Sequence, residues 1–165
     1  MIDEIRVFFV DVDGTLTNGN FEVDSRGSIS KSFNTRDTLA LHRLQKAGYD
    51  VQILTGDDSP CVHAYYEERN NITVNGGISD KHSFIQEYID SQNLTWDNVA
   101  MIGDAENDIK AMQDCGWTAC PADAIQEIQA LCNYIAYNYA GDLAFYEIAR
   151  KFAEYACMDW TAIYV

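Results

Sequence analysis

Proline is almost absent from the 165 residues, occurring only as Pro60 and Pro121, and no Ser/Gly-rich or repetitive stretch divides the chain. Without linker signals the sequence reads as one domain over 1–165, a length that a single hydrophobic core can serve. Long apolar runs are missing too. None approaches the ~18 residues of a membrane span, and no basic leader precedes an apolar stretch, so neither a membrane helix nor a secretory signal is expected. Cysteines are few and scattered: Cys61, Cys115, Cys120, Cys132 and Cys157 form no C-x-x-C pair. That argues against a disulfide framework or a zinc site and for buried thiols in a reducing, cytoplasmic setting. Cations are scarce as well, 11 Lys and Arg against 26 Asp and Glu, for a net charge of −15. Nucleic-acid phosphates and anionic membrane surfaces are therefore poor partners. A small anion can still bind where a metal or a local cluster overrides the global field.

What is present is ordinary globular material, 47% hydrophobic and 22% charged, which excludes a disordered chain. Short apolar runs at Ile5–Val10, Asp50–Leu54, Ile72–Val74, Val99–Ile102, Trp117–Ala119 and Tyr134–Ala136 read as strands. Amphipathic stretches at Asp37–Lys46, Ser59–Arg69, Lys81–Gln92, Asn107–Asp114, Asp123–Leu131 and Asp142–Tyr155 read as helices, with Gly48 and Gly116 where left-handed helix-ending residues are wanted. The alternation predicts an α/β fold, a three-layer sandwich around a mainly parallel, Rossmann-like sheet. In such sheets ligands bind beyond the carboxyl ends of the strands. Residues Thr17 to Phe33 break the pattern; with Asn18-Gly19 and a Ser25-Arg26-Gly27 turn they predict a β-hairpin flap over about 17–34.

The strongest chemical signal is "VFFVDVDGTLT". Asp11 and Asp13 follow a buried-type strand, and alternation sends residues of this spacing to one side. Paired carboxylates repel unless a cation lies near, and a hard divalent metal is the natural complement. An acidic surface turn is the bland alternative. At other strand ends, "VQILTGDD" supplies Thr55 and Gly56, a hydroxyl and an amide suited to a phosphoryl oxygen or to a simple turn. Lys81 opens a helix, where a cation opposes the dipole. "VAMIGDAENDI" supplies Asp104, with Asn107 and Asp108 on the next helix turn, Asp108 serving either the site or the cap.

Together these stations resemble the haloacid dehalogenase superfamily of phosphotransferases, with the likeness running from Arg6 to about Ala119. The resemblance implies that Asp11 is a nucleophile forming an aspartyl-phosphate, and that Asp13 protonates the leaving alcohol and activates water. It also implies that Asp11, Asp104 and the Asp13 carbonyl hold Mg²⁺. Thr55 and Lys81 would hold the phosphoryl group, with Asn107 and Asp108 in outer positions. Phosphoryl transfer needs little beyond positioning and charge neutralisation, which such a set supplies.

Only 41 residues separate Asp13 from Thr55 and 25 separate Thr55 from Lys81, which leaves no room for a cap domain. "DVDGTLTNG", "KSFNTRDTLAL" and "LTGDDS" are similar to the capless phosphatases of 3-deoxy-D-manno-octulosonate 8-phosphate and their nine-carbon sialic-acid relatives. That likeness implies a phosphorylated 2-keto sugar acid substrate, a place in lipopolysaccharide biosynthesis, a homotetramer, and substrate contacts from Arg36 and Asp37. A guanidinium suits a bidentate grip on the acid's carboxylate. The chain departs from the group at Thr38, where R-D-G is usual, and at Tyr146, where an Arg is usual; Gly141 and Glu147 are retained. The tail "CMDWTAIYV" reads either as an insert into a neighbouring subunit or as a strand on its own domain. His42, His63 and His82 lack metal-ligand spacing, and the tyrosines from Tyr134 to Tyr164 read as core or interface. A nucleotide or nucleic-acid phosphatase and a non-catalytic oligomeric scaffold of the same fold are the rival readings.

Overall fold

The computed structural model describes residues 2–163, so Tyr164 and Val165 at the end of the tail lie outside the described residues. Strands β1 (Val7–Val10), β4 (Asp50–Leu54), β5 (Thr73–Asn75), β6 (Val99–Ile102), β7 (Trp117–Cys120) and β8 (Tyr134–Ile135) form one sheet in the order β5-β4-β1-β6-β7-β8. Every neighbouring pair in it is parallel. Strands β2 (Glu22–Val23) and β3 (Ile29–Ser30) form the separate antiparallel hairpin expected after β1.

Alternation along the central strand creates the two outer layers. Phe8 and Val10 of β1 join one core with Leu41 and Leu44 of α1 (Thr35–Lys46) and Ile148 and Phe152 of α6 (Ala144–Tyr155). Val7 and Phe9 point the other way. They join Ile85 and Ile89 of α3 (Lys81–Gln92), Ala111 and Met112 of α4 (Glu106–Met112) and Ile128 of α5 (Gln126–Gln129). Both faces of β1 are thus buried, as a central parallel strand requires. Among the described residues no helix is long and apolar enough to cross a membrane.

Several expected elements differ in extent. The helix expected over 59–69 is one α-turn, α2 (Pro60–His63), that widens into a π-turn at Ala64–Glu68. The wide turn brings Tyr65 flat against Phe33, with ring centroids 4.4 Å apart, and so anchors the end of the flap. The helix expected over 123–131 is helical only at Gln126–Gln129. Asp123 is drawn off to accept the Ala140 N–H, and the Gln129 amide donates to the carbonyls of Ala122 and Ala124, holding that stretch as a turn. Gly48 ends α1 with φ +97°, as anticipated. Gly116 does not take a left-handed conformation; it is required by crowding, because a Cβ there would lie 2.4 Å from the Asp97 carbonyl oxygen. Of the cysteines, Cys120 is buried but Cys157 is exposed, against the expectation of buried thiols.

Order along the sheet reverses at β1. The chain leaves it for β4 and β5 on one side, then returns through α3 to β6 on the other. The loops after β1 and β6 therefore part in opposite directions and leave a crevice at their carboxyl ends.

Candidate functional site

Asp11 is the first residue past β1, and its N–H still donates to the Ile102 carbonyl at 2.9 Å, so the sheet itself fixes its backbone. Lys81, at the first position of α3, reaches across and donates to Asp11 Oδ1 and to Asp108 Oδ1, both at 2.6 Å. All three side chains are almost completely buried: Lys81 is 1% exposed, Asp11 5% and Asp108 0%. A cation at a helix start is mismatched with the dipole, and here two buried carboxylates supply the compensation. Asp80, just before it, caps the helix by accepting the Ser83 N–H.

Asp108 fills both of its anticipated roles. Its Oδ1 accepts from Lys81, while Oδ2 accepts the N–H groups of Asp104 and Ala105 at 3.0 and 3.3 Å, fixing the start of α4. Asp104 accepts the Thr15 hydroxyl at 3.0 Å. Two glycines make room for these carboxylates. Gly14 has φ +91°, and a Cβ on it would fall 2.1 Å from Asp104 Oδ2; one on Gly103 would fall 2.4 Å from Asp108 Oδ2. The glycine of D-x-D-G-T is thus needed both for its turn and for contact with the far loop.

One oxygen from each of Asp11, Asp104 and Asp108 lies within 4.8 Å of the other two. When all three carboxylates are ionised they face one ammonium, leaving two negative charges that a divalent cation would neutralise. Burial pushes the Asp11 carboxyl up to about 8, against the pull of Lys81 and with repulsion from Asp108 adding to the rise. Asp104 is pushed up to about 6, again by burial first, with Thr15 opposing and Asp108 reinforcing. Burial alone would lower Lys81, but Asp11 and Asp108 outweigh it and raise it. Asp108 has both oxygens engaged, whereas Asp11 and Asp104 commit Oδ1 to Lys81 and Thr15 respectively. An all-oxygen site with two such carboxylates fits Mg²⁺, which binds through one or two carboxylates and keeps waters for the rest.

Asp13 lies beside this cluster and is engaged by a residue the sequence reading missed. Lys31, from the end of the flap, donates to both Asp13 oxygens at 2.8 and 2.7 Å and to Asp57 Oδ2 at 2.5 Å. Asp57 also accepts the Ser59 hydroxyl. The Lys31 side chain is 2% exposed, but the two carboxylates it joins are about one-third open, at 33% and 39%. Above them lies a cavity of about 310 Å³ bordered by Asp13, Phe21, Ile29, Lys31, Asp57 and Ser59. Lys31 gave no signal within the polar flap sequence. Asp57, two residues beyond Thr55 at a strand end, did offer one.

Thr55 is buried at the end of β4, its hydroxyl accepting the Asp57 N–H at 3.2 Å. Gly56 is exposed, and a Cβ there would lie 3.8 Å from the side-chain amide of Asn107, so the β4 and α4 loops meet. Arg36 is exposed on the first turn of α1, and its guanidinium has no partner among the described residues. Asp37 does not face the cavity. It is fully buried, and its Oδ1 accepts the Tyr146 N–H at 2.8 Å, serving the start of α6. Gly141 and Glu147 also have architectural work. A Cβ on Gly141 would fall 2.7 Å from the Asn18 nitrogen at the root of the flap, and Glu147 accepts from the Tyr134 hydroxyl and the Tyr137 and Asn138 amides. His82 pairs with Asp114 and stacks on Trp96, apart from the lysine beside it.

Residues 57–142, just over half the chain and including Lys81, Asp104 and Asp108, match the family model for haloacid dehalogenase-like hydrolase. The chain is 28% identical over 148 residues to the 3-deoxy-D-manno-octulosonate 8-phosphate phosphatase of Haemophilus influenzae, covering 90% of this chain and 82% of that protein. It is likewise 28% identical over 152 residues to N-acylneuraminate cytidylyltransferase A of Danio rerio, covering 92% of this chain but spanning only 34% of that longer protein. Among solved structures, the Moraxella catarrhalis 3-deoxy-D-manno-octulosonate 8-phosphate phosphatase, in complex with magnesium, phosphate and KDO, superimposes with a TM-score of 0.87 at 26% identity. That alignment covers 93% of this chain and 88% of the other.

Proposed function

The chain belongs to the haloacid dehalogenase-like hydrolases and is a phosphatase, and we propose that it hydrolyses the phosphomonoester of a 2-keto-3-deoxy sugar acid, 3-deoxy-D-manno-octulosonate 8-phosphate. The observation that carries the reading is a carboxylate, Asp11, held by the sheet at the switch point with a buried lysine on one oxygen. Its cofactor is Mg²⁺, which Asp11, Asp104 and the Asp13 carbonyl would hold. Bound there, Mg²⁺ supplies charge neutralisation for the transferring phosphoryl group.

The chain's own residues carry the rest. Asp11 attacks phosphorus in line as the ester P–O bond breaks, giving an aspartyl-phosphate on Asp11. Asp13 gives the leaving alkoxide its proton. In the second half a water attacks phosphorus, Asp13 takes the water's proton, and the Asp11 carboxylate is released with inorganic phosphate. Splitting hydrolysis this way replaces one difficult step by two easier ones. Lys81 keeps Asp11 oriented and offsets its charge, and Thr55 and the Gly56 amide hold phosphoryl oxygens. Asp108 acts through Lys81 and the Asp104 loop, with Asn107 beside Gly56. Arg36, with a free guanidinium, grips the substrate carboxylate. Asp37 supports this from behind, by fixing α6 against α1, rather than by touching substrate.

A cap-free site open to water is poorly suited to a water-sensitive intermediate. Closure is proposed to come from a homotetramer, with the flap of a neighbour over each site. Phe21, Val23 and Ile29 are 56%, 58% and 41% exposed on the hairpin and belong to neither hydrophobic core of the described residues, which supports a subunit contact. The five unpaired thiols support a cytoplasmic setting. A nine-carbon 2-keto acid 9-phosphate is the second reading, favoured by the extent of the match to sialic-acid cytidylyltransferases.

The test is phosphate release with and without Mg²⁺ from the eight-carbon 8-phosphate, nine-carbon 9-phosphates, a nucleoside monophosphate and a simple sugar phosphate. Mg²⁺-dependent preference for the eight-carbon acid is expected. Preference for a nine-carbon acid moves the assignment to the second reading. Even activity across the panel discards the sugar-acid assignment, and Mg²⁺ binding without release from any substrate favours a scaffold.

A further inference from the structure

Both ends of the flap return to Asp13. On the outgoing side Thr17 is buried, and its carbonyl accepts the Gly14 N–H at 3.2 Å. Its hydroxyl lies 3.2 Å from the Val12 carbonyl and 3.3 Å from Asp13 Oδ1, so one proton is shared between two acceptors. On the returning side Lys31 stands two residues before Phe33, whose ring stacks on Tyr65 and meets Tyr66 edge to face at 5.2 Å. The tip of the hairpin is exposed, but its two roots are fixed, and the Lys31 side chain is only 2% exposed.

An ammonium has three N–H donors, and Lys31 meets three carboxylate oxygens: both of Asp13 and Oδ2 of Asp57. Apart from the shared Thr17 hydroxyl, Lys31 is the only side chain among the described residues that hydrogen-bonds Asp13. The two Asp13 oxygens are not equivalent. Oδ1 is met by Lys31 and Thr17, whereas Oδ2 is met by Lys31 alone. Freeing Oδ2 would leave Asp13 held at Oδ1 and leave Lys31 with two acceptors, because Asp57, itself braced by the Ser59 hydroxyl, keeps the ammonium in place. An acid–base group needs that division, one oxygen fixing the carboxyl and the other turned to the substrate. We propose that Lys31 is the positioning residue of Asp13: anchored on Asp57, it holds Oδ1 and yields Oδ2, the atom that carries the proton to the leaving oxygen and later takes one from water. This inference rests on the acid–base role proposed for Asp13, and Lys31 itself exchanges no proton with substrate.

The test compares leaving groups in the full-length protein with Mg²⁺. kcat/KM covers the steps up to alcohol release; there a sugar phosphate needs its leaving oxygen protonated, whereas p-nitrophenyl phosphate expels a stable phenolate that needs no proton. Lys31→Met should lower kcat/KM about tenfold for whichever sugar phosphate is turned over fastest, and less than about twofold for p-nitrophenyl phosphate. Asp57→Asn, at a carboxylate 39% open to solvent, removes the anchor without touching Asp13 and should show the same bias at about threefold. Circular dichroism of both variants should match that of the unaltered protein. An equal loss with both substrates marks Lys31 as structural support or as a general charge and overturns the proposal. No loss with the sugar phosphate, or a gain, overturns it as well. Asp13→Asn tells the two failures apart, since it should show the same bias at about a hundredfold. If it does so while Lys31→Met shows no bias, the positioning inference alone falls; if Asp13→Asn shows no bias, the acid–base reading falls and takes the inference with it.

Discussion

Two sets of charges stand within a few residues of each other at the carboxyl end of the sheet and are built in opposite ways. Lys81, Asp11 and Asp108 are sealed in the interior, each tied to a strand end or helix start, with Gly103 admitting Asp108, and Gly14 the neighbouring Asp104, where any side chain would collide. Lys31 makes equally short contacts to Asp13 and Asp57, but it arrives on a hairpin whose residues 18–30 are all exposed and whose strands are two residues long. Sealed charges cannot rearrange without a large penalty, so they hold chemistry that must not vary. Charges shared with a flap can exchange partners when a substrate enters, which suits selection. On the proposed reading, the chemical step rests on strand ends and helix starts, and substrate selection on an exposed hairpin with two-residue strands.

Breaking the sealed set should have the largest effects. Asp11→Asn removes the proposed nucleophile while keeping its shape, and phosphate release should fall about a thousandfold or more with circular dichroism unchanged. Lys81→Met leaves two buried carboxylates facing each other, and denaturant unfolding of the metal-free protein should show a loss of about 3–5 kcal/mol. Breaking the shared set should be milder on the fold. Lys31→Met is expected to cost under about 1 kcal/mol, because its partners are solvent-screened, while kcat/KM falls about tenfold. If unfolding shows Lys31→Met to be as damaging as Lys81→Met, the contrast between the two sets is wrong.

The smallest predicted effect sharpens the contrast at Asp37, a buried carboxyl outside both sets. Burial first, partly opposed by the Tyr146 and Leu143 amides and aided by nearby Asp142, pushes it up to about 6 from an ordinary 3.8. The folded protein then binds more protons than the unfolded chain, so Asp37 makes stability decline as pH rises from about 4 through 6, and flat above that. Asp37→Asn abolishes this slope. Relative to wild type it should gain about 2 kcal/mol at pH 8 over its value at pH 4, measured by denaturant titration at each pH.

The sealed set was legible in the sequence because each member follows an apolar run or opens a helix, positions that periodicity locates. The rule that parallel sheets bring their carboxyl ends together placed D-x-D-G-T, Thr55, Lys81 and the Asp104–Asp108 pair at one edge, and the family resemblance joined them into one site. Lys31 was not legible, since its contact with Asp13 depends on how far a hairpin folds back. Asp37 was misread for a related reason. The likeness to the capless phosphatases gave it to the substrate together with Arg36, but a helix turns successive side chains by about 100°, and the turn carries Asp37 inward to α6. The extent of α5 and the reason for Gly116 were misjudged because side-chain acceptors and neighbouring carbonyls, which local patterns omit, decided them.

The pairing of β1 has a consequence for how the protein comes into being. Val7 pairs with Asp50 on one side and with Val99 on the other, so the central strand waits for partners from the middle and the far half of the chain. Such distant pairings close large loops before they gain any contact, which makes folding slow and cooperative. Asp11 precedes all of its partners in the chain, gaining its lysine only at residue 81 and its opposing carboxylates only at Asp104 and Asp108. A nascent chain arrested before Asp108 should carry the proposed nucleophile and hydrolyse nothing.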